Sequence, residues 1–179
     1  NQVDSEIRIG TCGQVDTGKS TLLGIITNPK NSISITELDD GRGMARKRIF
    51  KHQHEKDSGR TSSITYCYTK LNNKGYTFID LAGHEKYLST TMTGISGGVL
   101  DYIIILLGAN TGTIPRITKE HISLALAYRI PIIFVVTKID MNVKEQKNEA
   151  IKKIKIIMES NGAGNKKIEE INNKNQISN

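Results

Sequence analysis

Cysteine is scarce in this chain, with only Cys12 and Cys67 among 179 residues. Each lies inside an expected strand and neither belongs to a Cys-x-x-Cys pair, so they read as buried, reduced thiols. A disulfide framework or a zinc site is not indicated. Long apolar runs are also missing. Nothing approaches the roughly 20 residues that a membrane-crossing helix needs, and the start NQVDSEIRIG lacks a basic-then-apolar leader. These absences point to a cytoplasmic protein without a membrane partner. Internal repeats and a second domain are not evident.

What is present is ordinary for one globular domain with a full core: 37% hydrophobic and 24% charged residues. The net charge of +7 favours polyanionic partners, RNA included. Much of the excess sits in Lys144, Lys147, Lys152, Lys153, Lys155, Lys166 and Lys167. A lysine run of that kind more often forms the solvated face of a helix.

Strand and helix signals alternate along the chain, which predicts an α/β fold with a mostly parallel sheet. Glu6 to Cys12 (EIRIGTC) reads as a short apolar strand, and Ser20 to Thr27 (STLLGIIT) opens the helix behind it. Asn31 to Ser63 has no clear apolar period and contains Gly41, Gly43 and Gly59, which predicts a long, partly helical, mobile segment of functional importance. Ile64 to Leu71 and Gly75 to Leu81 flank Asn72-Asn73-Lys74-Gly75 and predict an antiparallel hairpin. DYIIILL (101–107) and IPIIFVV (130–136) are almost wholly apolar, as expected of strands buried on both faces. Between them Thr118 is expected to cap a helix that turns Leu124, Ala125 and Tyr128 to the sheet. After Asp140, Ala150, Ile151, Ile154, Ile157 and Met158 recur at helical spacing and expose the intervening lysines. From residue 161 the chain is polar. The expected division is therefore a domain over 1–160 and a polar tail over 161–179.

Three short motifs carry chemistry. Gly13 to Ser20 reads GQVDTGKS, between an expected strand and an expected helix. That is the Gly-x-x-x-x-Gly-Lys-Ser phosphate loop, whose backbone N–H groups, with the helix N-terminus, surround phosphate oxygens. The loop residues Gln14, Val15, Asp16, Thr17 and Gly18 line that cradle, and Thr21 continues it into the helix. Lys19 can reach the outer phosphates, and the Ser20 hydroxyl can coordinate Mg²⁺. Asp80-Leu81-Ala82-Gly83-His84 follows the strand YTFID; Asp80 can hold Mg²⁺ through water, and Gly83 frees an N–H for the γ-phosphate. Thr137-Lys138-Ile139-Asp140 ends the strand IPIIFVV. Asp140 can accept both the ring N–H and the exocyclic amine of guanine, while the Lys138 stem lies against the base. Adenine has no matching donors, and such a site rejects the wrong base by roughly 10⁴.

Together these motifs resemble the GTP-binding domain of translation-factor-type GTPases, the class of elongation factor Tu. The Val15-Asp16 pair inside the loop, His84 after Asp-x-x-Gly, and Thr118-Lys-Glu-His121-Ile122 all fit that class. Within it the likeness runs to the eukaryotic GTP-binding protein 1 and 2 group, carried by LDDGRGMARKRIFKHQHEKDSGRTSS, FIDLAGHEKYLSTT and TKEHISLALAYRIPIIFVVTKIDM. The resemblance implies a P-loop NTPase G domain: a doubly wound, mostly parallel sheet with one antiparallel edge strand and helices on both faces. It further implies binding of GTP and GDP with Mg²⁺, and hydrolysis of GTP to GDP and phosphate. By it, Thr61 is the switch threonine that binds Mg²⁺ and senses the γ-phosphate. His84 positions the attacking water, and Asp16 helps hold a monovalent cation such as K⁺. Implied partners are RNA, the ribosome or RNA-processing machinery, and the implied state is a monomer.

Departures from the pattern qualify this. Thr137 stands where most GTPases have Asn, which is expected to weaken a brace between the base site and the phosphate loop. Arg60 precedes Thr61 where elongation factors have an apolar residue; either it reaches the reacting phosphates in cis or it is a solvent-exposed switch arginine. No guanine-closing Ser-Ala segment and no last strand are recognisable after Asp140, so the chain reads as a fragment without β-barrel domains. His52, His54 and His121 read as surface residues. Two rival functions stay open: an ATP-using phosphate-loop enzyme, which Asp140 opposes, and a non-catalytic guanine-nucleotide scaffold.

Overall fold

The computed structural model describes residues 4–28, 38–40, 42–49, 64–71, 74–81, 100–111, 113–141, 144–160 and 168–171. Its centre is a five-stranded sheet in the order β2-β3-β1-β4-β5. The strands are β1 (Asp4–Gly13), β2 (Thr65–Leu71), β3 (Lys74–Asp80), β4 (Tyr102–Gly108) and β5 (Ile132–Thr137). β1 runs parallel to β3 and β4, and β4 parallel to β5; only β2 is antiparallel, paired with β3 from Leu71↔Lys74 to Thr65↔Asp80. The expected α/β class, mostly parallel with one antiparallel pair, is what the chain forms. Lys74 belongs to the strand ladder and not to the turn expected there.

Side chains alternate across the sheet and build two cores. Cys12, Ile79, Ile103, Ile105 and Leu107 face helices α3 (Arg116–Ala127) and α4 (Lys144–Ser160), meeting Ile122, Ala125, Ile154 and Met158. On the other face Ile9, Phe78, Ile104 and Leu106 pack with Leu23 of α1 (Lys19–Ile26) and with Cys67 and Ile49. Both cysteines are buried, and neither forms a disulfide. Among the described residues no helix is long and apolar enough to cross a membrane.

Three expectations are corrected. β4 is buried along its length after Tyr102, but the equally apolar β5 is the outer strand of the sheet among the described residues and is only half-covered, with Ile133 45% exposed. Apolar composition reports a strand's tolerance for burial; its place in the sheet decides how many neighbours cover it. Helix α3 starts three residues earlier than expected, capped at Pro115 and not at Thr118. Pro115 occupies its N-cap, and the Pro115 carbonyl accepts from the N–H groups of Thr118 and Lys119 at 3.0 and 3.2 Å. Thr118 is thereby turned inward, its hydroxyl buried without a partner. Tyr128 ends the helix and is exposed, while Leu124 and Ala125 do face the sheet. In α4 the expected stripe is buried or half-buried, and Lys152 and Lys155 are exposed.

Part of the segment expected to be mobile is docked. A single helical turn, α2 (Met44–Lys47), packs beside α1 and buries Ala45 and Ile49.

Candidate functional site

β1 delivers the chain to the phosphate loop through a bend that only glycine accommodates. Gly13 has φ +139°, and a Cβ there would sit 2.5 Å from the Leu106 carbonyl oxygen of the neighbouring β4. The loop then closes on itself. Thr17 donates from its hydroxyl to the Gln14 carbonyl at 2.8 Å, Asp16 adopts a left-handed φ of 63°, and Gly18 forms the helix N-cap. No side chain caps α1. The first N–H groups of a helix lack intrahelical partners, and they carry its positive dipole end. A loop so shaped is fitted to an anion.

Lys19 is 6% exposed and curls back over this loop, its ammonium donating to the Gly13 and Gln14 carbonyls at 3.0 and 2.9 Å. Burial lowers its pKa, and the nearby charges of Asp80 and Asp16 work in the opposite direction. Beneath it, burial pushes the Cys12 thiol up to about 12, so this cysteine is a packing residue and not a nucleophile.

Asp80 ends β3 directly opposite Thr11 of β1 and is fully buried. The Ser20 hydroxyl donates to its Oδ2 at 2.9 Å. The Thr11 hydroxyl lies 3.2 Å from the Ile79 carbonyl and 3.5 Å from Asp80 Oδ1. The ladder continues one step further, with the Leu81 N–H donating to the Thr11 carbonyl at 3.1 Å. A buried carboxylate beside a hydroxyl is a hard oxygen set of the kind Mg²⁺ selects.

Thr137 closes the site from the far side. Its hydroxyl lies 2.8 Å from the Thr17 carbonyl and 3.3 Å from the Leu107 carbonyl. One proton cannot serve both acceptors fully, and the shorter contact is to the phosphate loop. The brace that the sequence led us to expect weakened is therefore made, by a hydroxyl. Lys138 follows in a left-handed conformation with φ 57°, and the Met141 N–H donates to its carbonyl at 3.3 Å, closing a turn that leaves Asp140 exposed.

The structure thus brings Gly13 through Thr21, Asp80, Thr137, Lys138 and Asp140 to the same end of the sheet, where β1, β3 and β5 terminate. Thr61, Gly83 and His84, with Arg60, His52 and His54, lie outside the described residues. His121 does not lie on the surface as expected: it is 0% exposed, with neither ring nitrogen hydrogen-bonded among the described residues. Burial, and then the charge of Lys19, lower its pKa to about 4. With α3 starting at Arg116, Thr118 and His121 fall three residues apart and share its inward face. Thr11 was likewise missed, although its place two residues before the phosphate loop, on the strand beside Asp80, is a readable signal.

A phosphate loop joining a central parallel strand to a helix, with a buried carboxylate at the end of the next strand, defines a P-loop nucleotide-binding domain. The chain belongs to the family described as the elongation factor Tu GTP binding domain, whose model matches residues 4–176. It is 41% identical over 182 residues to GTP-binding protein 1 of Xenopus laevis, covering 88% of this chain and 27% of that protein. To GTP-binding protein 2 of Homo sapiens it is 39% identical over 183 residues, covering 90% and 29%. The chain thus spans little more than a quarter of the length of these curated relatives. Among solved structures it is similar to a bacterial selenocysteine-specific elongation factor, EF-Sec, with TM-score 0.68 and 26% identity over 87% of this chain and 24% of that one. It shares its fold with elongation factor SelB of Methanococcus maripaludis in complex with the GTP analogue GppNHp, with TM-score 0.65 and 22% identity, covering 89% of this chain and 28% of that one.

Proposed function

We propose that this domain is a guanine-nucleotide switch that hydrolyses GTP to GDP and phosphate and acts with RNA or ribosome-associated machinery. The observation that carries the reading is the Ser20–Asp80 hydrogen bond beside a Lys19 already folded over the phosphate loop. Incoming phosphate oxygens replace the two loop carbonyls as acceptors for the Lys19 ammonium, a stronger, charge-assisted pairing. The loop N–H groups and the N-terminus of α1 take up the remaining phosphate charge. Ser20 and Thr61 would hold Mg²⁺, with Asp80 acting through water, and the ion would supply neutralisation of phosphate charge. Asp140 reads guanine, with Lys138 along the base; Gly83 offers its N–H to the γ-phosphate. His84 orients the attacking water and Thr61 reports the γ-phosphate, roles taken from the family likeness. Asp16 is exposed at its left-handed bend, open to a monovalent cation such as K⁺. The reading places the protein in the cytoplasm as a monomer, with a polar tail from residue 161.

Phosphate release from GTP, with and without ribosomes, tests this. Slow intrinsic release that ribosomes accelerate, and that a large excess of ATP leaves unchanged, is the expected result. Displacement of GTP by ATP would overturn the base assignment, and absence of release under every condition would leave only a scaffold.

A further inference from the structure

Four cations, Arg42, Arg46, Lys47 and Arg48, fall within seven residues of the segment that forms α2. In the sequence they fall in the segment expected to be mobile. The structure makes it a fixed surface. Asp39 accepts from the Ala45 N–H at 2.8 Å, and Asp40 accepts from the N–H groups of Arg42 and Met44 at 2.9 and 3.1 Å. Both carboxylates are thus committed to holding the turn. The Asp40 carboxyl is kept below its usual range chiefly by those two N–H groups, with Lys47 a smaller contributor. From below, Ala45 and Ile49 are buried, and α1 receives α2 at Gly24, where a Cβ would lie 2.0 Å from the Ala45 carbonyl oxygen. Arg46 is half-buried, its guanidinium lying across Gly43. Arg42, Lys47 and Arg48 are exposed, with the half-exposed Met44 beside them.

We propose that the α2 surface is a docking site for the sugar–phosphate backbone of RNA, with Arg42 and Lys47 as its phosphate contacts. This deepens the functional reading above, on which it rests, by naming the chemistry of the partner and where it sits. Two features favour a polyanion over an acidic protein patch. The cations stand on a pre-docked turn, so little side-chain-bearing backbone must be ordered on binding. The chain as a whole carries a net charge of +7, a field that attracts a long polyanion from a distance and yields binding through counterion release. Guanidinium groups also match phosphate oxygens in paired geometry. Because α2 packs on α1, the helix that opens at Lys19 of the phosphate loop, RNA seated here lies on an element joined to the nucleotide site.

The test is fluorescence anisotropy of a short labelled RNA duplex with the whole chain, titrated across salt concentration. Labelled GDP binding is measured on the same samples. The double variant Arg42→Gln/Lys47→Gln is expected to bind RNA about tenfold more weakly at 0.1 M salt. Its log–log salt slope should be shallower by about two, one for each phosphate contact removed. GDP affinity should be unchanged, since neither residue touches the phosphate loop; this separates failure of the docking proposal from failure of the nucleotide site. An RNA affinity and salt slope equal to those of the unmodified chain would overturn the proposal. So would loss of RNA binding only in Lys152→Gln/Lys155→Gln, or displacement of RNA by poly-glutamate at equal charge concentration. An unmodified chain that does not bind RNA overturns it outright.

Discussion

Thr137 carries one hydroxyl proton at a position where it ties the start of the 138–141 turn to the phosphate loop, 120 residues away in sequence. An asparagine amide offers two donors and an acceptor, so the threonine holds the same two parts together with a single link. If that link matters, Thr137→Val, which keeps the shape and removes the proton, leaves the Thr17 carbonyl without it. A net hydrogen bond contributes about 1 kcal/mol, so nucleotide affinity should fall by roughly fivefold. Thr137→Asn should bind at least as tightly as the unmodified chain. Titration with a fluorescent guanine nucleotide decides between them; equal affinities for all three would mean that the loop keeps its shape without the brace. Asp80 and Lys19 make the complementary point. Each is an ion in a buried place, and each is tolerable only because hydroxyls, carbonyls and the opposite charge surround it.

Among the elements, α2 depends most on one contact. Helix α1 carries Gly24 where alanine would give a better helix by about 1 kcal/mol. That gain is opposed by the 2.0 Å approach of the Ala45 carbonyl oxygen, backbone that cannot swing aside. Overpacking of this kind costs about 1–3 kcal/mol. Gly24→Ala should therefore lower stability in urea unfolding and lift α2 from α1; a stabilised variant would show that α2 is not seated as described. The same comparison explains what was legible in sequence. The placement of Gly13 to Ser20, Asp80 and Asp140 at strand ends could be read because each motif is local to a few consecutive residues. β4 could be read from its unbroken apolar run and α4 from its helical period. The outer position of β5 among the described residues could not, since the same apolar run serves a central or an outer strand. The burial of His121 and Thr118, four and seven residues before the inward-facing Ala125, follows once Pro115 sets the start of α3 far enough back to place both on that helical face.

At the scale of the whole molecule, His121 makes stability depend on pH. Its imidazole sits inside the domain, fully buried, with both nitrogens unpartnered among the described residues and Lys19 near enough to disfavour a second positive charge. The folded state holds it at about 4, against an ordinary value of 6.5. Between those values the unfolded chain binds the proton and the folded chain does not, so acid favours unfolding. Stability is retained above about pH 6.5 and declines as pH falls toward 4. At 1.36 kcal/mol per unit, the loss from pH 7 to pH 5 is about 2 kcal/mol, a large share of a domain's usual margin. Carboxylates held below their usual range, such as Asp40, protonate later and add little above pH 5. His121→Leu removes the titrating group and the two unpaired nitrogens together. Urea unfolding at pH 7 and pH 5 should show that this variant loses little between them while the unmodified chain loses its roughly 2 kcal/mol. Parallel losses in both proteins would place the acid sensitivity elsewhere and would mean that the imidazole finds a partner in the folded chain.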